Sequence, residues 1–308
     1  MRWFMKKVFL IITFGLCNLF AWATHNRAGE ITYTHITGFT YQITITTYTK
    51  LSQQQADRSS LNMIWGDGTS DTIPRVNFTD NFGLDLRTNH YIGTHTYAGF
   101  GTYVLNMTDP NRMDGITNIN GGNSVNEPFY LEDTLKILDP AFYGYNSSPQ
   151  LLSPPLDFGC SCKTYTHNPN AYDADGDSLD FSFGTPKKAP GLPVTNYVDP
   201  NTIGGACGIV FTIDHNTGEI TWSKPEFIGY YNIAILIREY RNGFEIGTMI
   251  RDMQIIVESC TNQAPQIANV NDTCVVAGSS LTLNVSATDP NTTQQVNFQA
   301  NGGPFIVA

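Results

Sequence analysis

The chain has 308 residues, a formal net charge of -10 at pH 7, and 14% charged and 12% aromatic side chains. A chain this acidic has no basic patch to neutralise phosphates, which excludes nucleic acid as a partner. Its Thr, Asn and aromatic residues are those of β-sheet surfaces and turns, so an all-β fold is expected.

Arg2, Lys6 and Lys7 precede the apolar run Val8 to Phe20, and Ala21-Trp22-Ala23 supplies a small-x-small cleavage pattern. This predicts a secretory signal peptide over residues 1–23 and a mature chain from Thr24, secreted and associated with the cell surface. No later run is apolar for long enough to cross a membrane as a helix. Five further cysteines follow: Cys160, Cys162, Cys207, Cys260 and Cys274. Disulfides are the default in an exported chain, and an odd number leaves one thiol over. The simplest pairing joins Cys260 to Cys274 and Cys207 to either Cys160 or Cys162. Zinc on Cys160, Cys162 and His167 would lack a second compact ligand pair.

Residues 24–155 are expected to form one β-unit. Ile31, Tyr33, Phe39, Tyr41, Ile43 and Ile45 alternate with Thr and Gln, the period of half-buried strands. After a polar connection, Leu61, Met63 and Trp65 form a strand that ends in the turn Gly66-Asp67-Gly68. Tyr103, Leu105 and Met107 mark another strand, and Phe129 to Ile137 a further one. Pro154-Pro155 is the natural end of the unit.

A second unit is expected over residues 156–258. Asp173-Ala174-Asp175-Gly176-Asp177 places carboxylates at alternate positions around a glycine, with Asp180 close behind and Leu179 to Phe183 as the next strand. Ca²⁺ takes six to eight oxygen ligands, so Asp173, Asp175, Asp177 and Asp180 are the candidate metal ligands. A solvated or Asx-stabilised turn is the competing reading. An EF-hand does not fit, because Ser178 stands where its glycine belongs and Gly184 where its glutamate does. Ile209 to Ile213 and Ile220 to Trp222 flank a turn, and Tyr231 to Tyr240 pairs with Thr248 to Val257 around Arg241-Asn242-Gly243. Arg251 and Asp252 on that last strand are expected to face water. Residues 259–308 open a third unit, with Leu281, Leu283, Val285 and Ala287 alternating. It is too short for a sandwich, so it is expected to be truncated.

Trp65-Gly66-Asp67-Gly68, His95-Thr96-Tyr97, Gly101-Thr102-Tyr103 and Asp109 resemble, in that order, the signature of the polycystic-kidney-disease (PKD) domain, with residues 74–93 as an unusual insertion. The acidic loop, Phe211 to Asp214, Thr217 to Ile220 and Gly229-Tyr230-Tyr231 resemble cadherin-like and related immunoglobulin-like repeats of bacterial surface proteins. Where that family carries a late aspartate, this chain has Arg238-Glu239-Tyr240. The combination looks like the large exported, type IX-secreted surface proteins of gliding Bacteroidetes. It implies tandem immunoglobulin-like β-sandwich domains, the last incomplete, with a role in adhesion or surface scaffolding.

Asp67 reads as a turn residue bonded to its own backbone, His95 and Tyr97 as packing residues, and Trp65 as core, while Trp222 reads as core or as part of a carbohydrate-facing patch. No nucleophile elbow, helical zinc-binding pair or phosphate loop is present in the sequence, so no enzyme activity is expected. The expected partners are other surface proteins, copies of the same chain or extracellular polysaccharide. A carbohydrate-binding segment of a secreted hydrolase and a self-assembling scaffold subunit are the alternatives.

Overall fold

The computed structural model describes residues 26–52, 57–205 and 210–261, and those from 265 to 300 other than 272, 277, 292–295, 297 and 299. The expected signal peptide and Cys207 lie outside the described residues. The chain folds as strands β1 (Asn26–Thr37), β2 (Thr40–Lys50), β3 (Ser60–Ile64), β4 (Ser70–Asn81), β5 (Leu86–Thr96), β6 (Gly101–Asp109) and β7 (Phe129–Ile137). A single helical turn, α1 (Pro140–Tyr143), begins at Asp139, whose side chain accepts the Ala141 N–H. There follow β8 (Gln150–Leu151), β9 (Leu156–Cys160), β10 (Tyr165–His167), β11 (Ala171–Tyr172), β12 (Ser178–Gly184), β13 (Lys187–Ala189) and β14 (Leu192–Pro193). The rest are β15 (Phe211–Ile213), β16 (Ile220–Trp222), β17 (Gly229–Arg241), β18 (Phe244–Glu258), β19 (Gln266–Ile267) and β20 (Ala287–Thr288). The all-β class is therefore what forms. Alternation is its local cause: β7 buries Phe129, Leu131, Leu135 and Ile137 on one face while Glu132, Thr134 and Lys136 stay half-exposed,.

Pairing follows a closed circuit. β1 pairs with β2, β2 with β5, β5 with β4, β4 with β3, β3 with β6 and β6 with β7, all antiparallel. β18 then closes the ring, meeting β7 at Gly247 to Met249 and β1 at Asp252. Its opposite edge pairs with β17 along nearly its whole length, and its last residues run parallel to β9. The segments read as two units thus share one sheet. Residues 74–93, unusual against the PKD pattern, build most of the β4–β5 hairpin.

Two apolar cores flank this shared hairpin. One holds Ile31, Tyr33, Ile43, Trp65, Leu105, Phe129 and Leu135, the other Phe181, Trp222, Ile235, Ile237, Met249 and Ile255. Trp65 and Trp222 are both core residues, each 1% exposed, so Trp222 takes the core alternative and not the carbohydrate-facing one. After Trp65 the chain must turn beneath β6: Gly66 has φ +84°, and a Cβ there would lie 2.5 Å from the Val104 nitrogen. Only glycine meets both conditions.

Arg251 and Asp252, expected to face water, lie instead in dry surroundings on opposite faces of β18: Arg251 stands opposite Ile235, on the side of the second apolar core, and Asp252 opposite Ala234, on a polar side shared with Asn232 and Gln254,. Both are buried, at 0% and 1% exposure. The Arg251 guanidinium bonds Glu30 and donates to the Ser153 and Leu151 carbonyls at 2.5 and 3.1 Å. Arg112 lies 2.7 Å from Asp252 in an ion pair whose geometry falls short of a hydrogen bond, and stacks over Phe129. Asn232 donates to Asp252 Oδ1 at 2.8 Å and to the Arg27 carbonyl at 2.9 Å, and its own backbone is bonded in both directions by Asn118. Gln254 links Arg27 to Asn232. Charges with no solvent persist only when paired and bonded in this way.

The cysteine pairing departs from the sequence expectation at Cys260, which does not bond Cys274. Cys160 is bonded to Cys260, 100 residues away, and Cys162 is disulfide-bonded too, whereas Cys274 is free and exposed. Because β9 runs beside the end of β18, with Cys160 opposite Glu258, the sheet brings Cys160 to Cys260. Beyond Cys260, β19 and β20 form a two-stranded ribbon. Leu281, Leu283 and Val285 are exposed and lie outside any strand, contrary to their alternating pattern.

Candidate functional site

The acidic loop joins β11 to β12. Asp173 organises it: its Oδ1 accepts the N–H groups of Asp175 and Asp177 at 2.9 and 3.0 Å, and Gly176 supplies the left-handed residue at φ +82°. This Asx-type closure folds three side chains toward one point. One carboxylate oxygen from each of Asp173, Asp175 and Asp177 lies within 4.8 Å of the other two. Asp173 Oδ2 is buried and has no hydrogen-bond partner. Burial pushes the Asp173 carboxyl above its ordinary range; the Asp177 and Asp175 carboxylates act in the same direction, against the two backbone donors,.

Asp180 stands apart from this group. It sits on β12 opposite Arg238, 3.5 Å from that guanidinium and 3.8 Å from the His215 ring. Strand register places it on the sheet, three residues beyond the loop. Three of the four candidate ligands are therefore brought together and one is held elsewhere.

The residue that sequence reasoning missed is Arg241. It begins the β17–β18 turn and was legible only as part of Arg-Asn-Gly. Its Nε and Nη2 donate to the two oxygens of Asp177 at 2.6 Å each, a bidentate pair, and Nη2 lies 3.8 Å from Asp175,. Nη1 donates to the Tyr143 and Tyr145 carbonyls, and Nη2 also to Asn146 Oδ1. The Ser147 N–H donates to Asp175 Oδ2 at 2.7 Å. Loop, α1 segment and β17 end are thereby fastened at one place. Neighbouring Glu239 is fully buried and accepts from Asn146 at 2.7 Å; burial first, and then the charges of the three loop carboxylates, push it up to about 8 against the lowering effect of the Asn146 bond.

A hard cation fits this donor set in kind: carboxylate oxygens, one of them buried without a partner, on a tight loop. Asp173, Asp175 and Asp177 are the residues able to hold a divalent ion. Its competitor is internal, since both Asp177 oxygens already face a guanidinium.

The turn at Gly66-Asp67-Gly68 has a different character. Asp67 Oδ1 accepts from the backbone N–H and hydroxyl of Thr69, and Oδ2 lies 2.8 Å from His95 Nε2. Desolvation alone would raise this carboxyl, but the bonds from Thr69 and His95 outweigh it and bring it down to about 2. His95 in turn stacks on Trp65, and Tyr97 donates to the Trp65 carbonyl. Every member of this set holds a neighbour in place. At the cysteines, His167 bonds Asp157, and Cys160 and Cys162 are consumed in disulfides, so the weak zinc reading loses two of its ligands. No helix among the described residues is long and apolar enough to cross a membrane.

No protein-family model matches the chain, and no curated protein matches it.

Proposed function

We propose that the chain is a non-enzymatic, exported structural or adhesion element built from immunoglobulin-like β-modules, in which Asp173, Asp175 and Asp177 hold a divalent cation, Ca²⁺ in an extracellular setting. The observation that carries this reading is the convergence of the three carboxylates, with one buried oxygen left unbonded. Around them the chain supplies fixed dipoles and one fixed guanidinium, an arrangement suited to stiffening a junction. The Cys160–Cys260 disulfide supports an oxidising compartment,. The resemblance of the Trp65 turn to PKD domains and of the acidic loop to cadherin-like repeats supports a bacterial surface protein of the type IX-secreted kind, with other surface proteins, further copies or polysaccharide as partners.

A bound cation would offset repulsion among the carboxylates and lock the loop to the α1 segment and the β17 end. Arg241 competes for the same oxygens, so affinity belongs to the weak range of extracellular modules, about 10⁻⁴–10⁻³ M. Calorimetric titration of the mature chain with CaCl₂ is expected to show saturable binding in that range. The Asp173→Asn, Asp175→Asn double variant should lose it. No saturable heat up to about 10 mM, well beyond that range, overturns the cation assignment.

A further inference from the structure

Two carboxyls lie inside the molecule with no counter-charge. Asp133 is the one polar member of the core-facing row of β7, between Leu131 and Leu135, and is 1% exposed with neither oxygen bonded. Glu239 is 0% exposed, and its Oε1 has no partner. Register puts them on one face of three adjacent strands. Across β17, β18 and β7, Ile237 stands opposite Met249 and Asp133, and in the next row Glu239 stands opposite Gly247 and Leu135. The missing side chain at Gly247 makes the room: a Cβ there would lie 2.5 Å from Glu239 Oε1 and 2.7 Å from the Tyr33 hydroxyl. These rows are the place where the two apolar cores meet, since Leu135 and Tyr33 belong to one, Ile237 and Met249 to the other.

The groups that face this pair add no positive charge. β1 contributes Tyr33, β2 Tyr41, the segment after β5 Tyr97, and β7 Glu132, while the acidic loop contributes Asp173, Asp175 and Asp177. Asn146 donates to Glu239 Oε2 and to the Tyr33 oxygen, and is neutral. Arg241 is committed to Asp177, Asn146 and two carbonyls. An ionised pair would place two negative charges in this dry junction, and a proton on each removes them.

From this geometry we infer that Asp133 and Glu239 form a proton-dependent latch: protonated, they let the β17–β18 hairpin close on β7 and β1, and ionised, they loosen that closure. Burial, and then the charge of the other carboxyl, raises Asp133 well above the ordinary carboxylate range; burial does the same to Glu239. The sign follows. Both groups bind protons more tightly folded than unfolded, so the folded chain holds extra protons above about pH 4. Stability therefore falls as pH rises from there through the folded values, about 8 for Glu239, and levels off above them,.

Thermal unfolding of the mature chain, in EDTA so that the cation loop does not contribute, tests the latch. The midpoint is expected to fall by about 3 °C or more between about pH 5 and about pH 9. In the Asp133→Asn, Glu239→Gln double variant, whose amides imitate the protonated acids, the fall should be much smaller, and at alkaline pH this variant should be the more stable. A flat or rising wild-type profile, or an equal fall in the double variant, overturns the inference. Infrared difference spectra of the unmodified chain give a second readout that needs no variant: a protonated carboxyl band at neutral pH that disappears on alkalinisation supports the latch, and its absence contradicts it.

Discussion

At the scale of single residues, the acidic loop is decided by Arg241 as much as by its aspartates. The guanidinium satisfies Asp177 and also binds the Tyr143 and Tyr145 carbonyls. Arg241→Gln should therefore do two opposite things: lower the unfolding midpoint in EDTA, and tighten Ca²⁺ binding by about tenfold, the equivalent of about 1.4 kcal/mol of competition removed. Unchanged affinity would mean that the ion and the guanidinium do not share the site. Arg251 makes a harsher case. Its removal strands Glu30 in a dry environment along with two carbonyls. Arg251→Ala is expected to lose about 3–5 kcal/mol in urea unfolding, and pairing it with Glu30→Gln should recover part of the loss. Nothing in the local sequence distinguishes Arg251 and Glu30 from solvent-facing charges, because the two stand 221 residues apart.

At the scale of elements, alternation made most strands legible. Phe129–Ile137 and Ile220–Trp222 form with the bounds that their patterns indicate, and the Asp173 to Asp177 loop folds around its glycine as an Asx turn. Alternation failed at Leu281 to Val285, where a period of two has no neighbouring strand to pair with among the described residues. It was silent on β18. That strand is buried on both faces from Arg251 to Val257, and charged residues buried against distant polar partners look, in sequence, like residues in water. Cysteine pairing was hidden for a related reason: proximity along the chain favoured Cys260 with Cys274, but the parallel β9–β18 pairing selects Cys160. That bond closes a loop of 100 residues. Replacing Cys160 and Cys260 together with serine should lower stability by about 2–5 kcal/mol, read as a lower urea midpoint with a steeper slope, because the unlinked denatured chain exposes more surface.

At the scale of the whole molecule, the β17–β18 hairpin joins the two apolar cores: its side chains line the second, and its pairing closes the strand circuit around the first. A break at Pro154-Pro155 is visible in the sequence, whereas the pairing across it arises from contacts between distant strands, which composition and periodicity do not encode. With a buried ion-pair network between the halves, residues 26–258 are expected to unfold together, giving one cooperative transition. The acidic loop sits at the edge of this body, where β11, β12, the α1 segment and the β17 end converge, so an ion bound there should stabilise the native body as a whole. Differential scanning calorimetry of the mature chain in millimolar Ca²⁺ and in excess EDTA examines this most directly. The account predicts one main transition whose midpoint moves upward with Ca²⁺, because the ion binds the native state alone, and an Asp173→Asn, Asp175→Asn variant that no longer responds. A main transition at the same temperature in both buffers would contradict it.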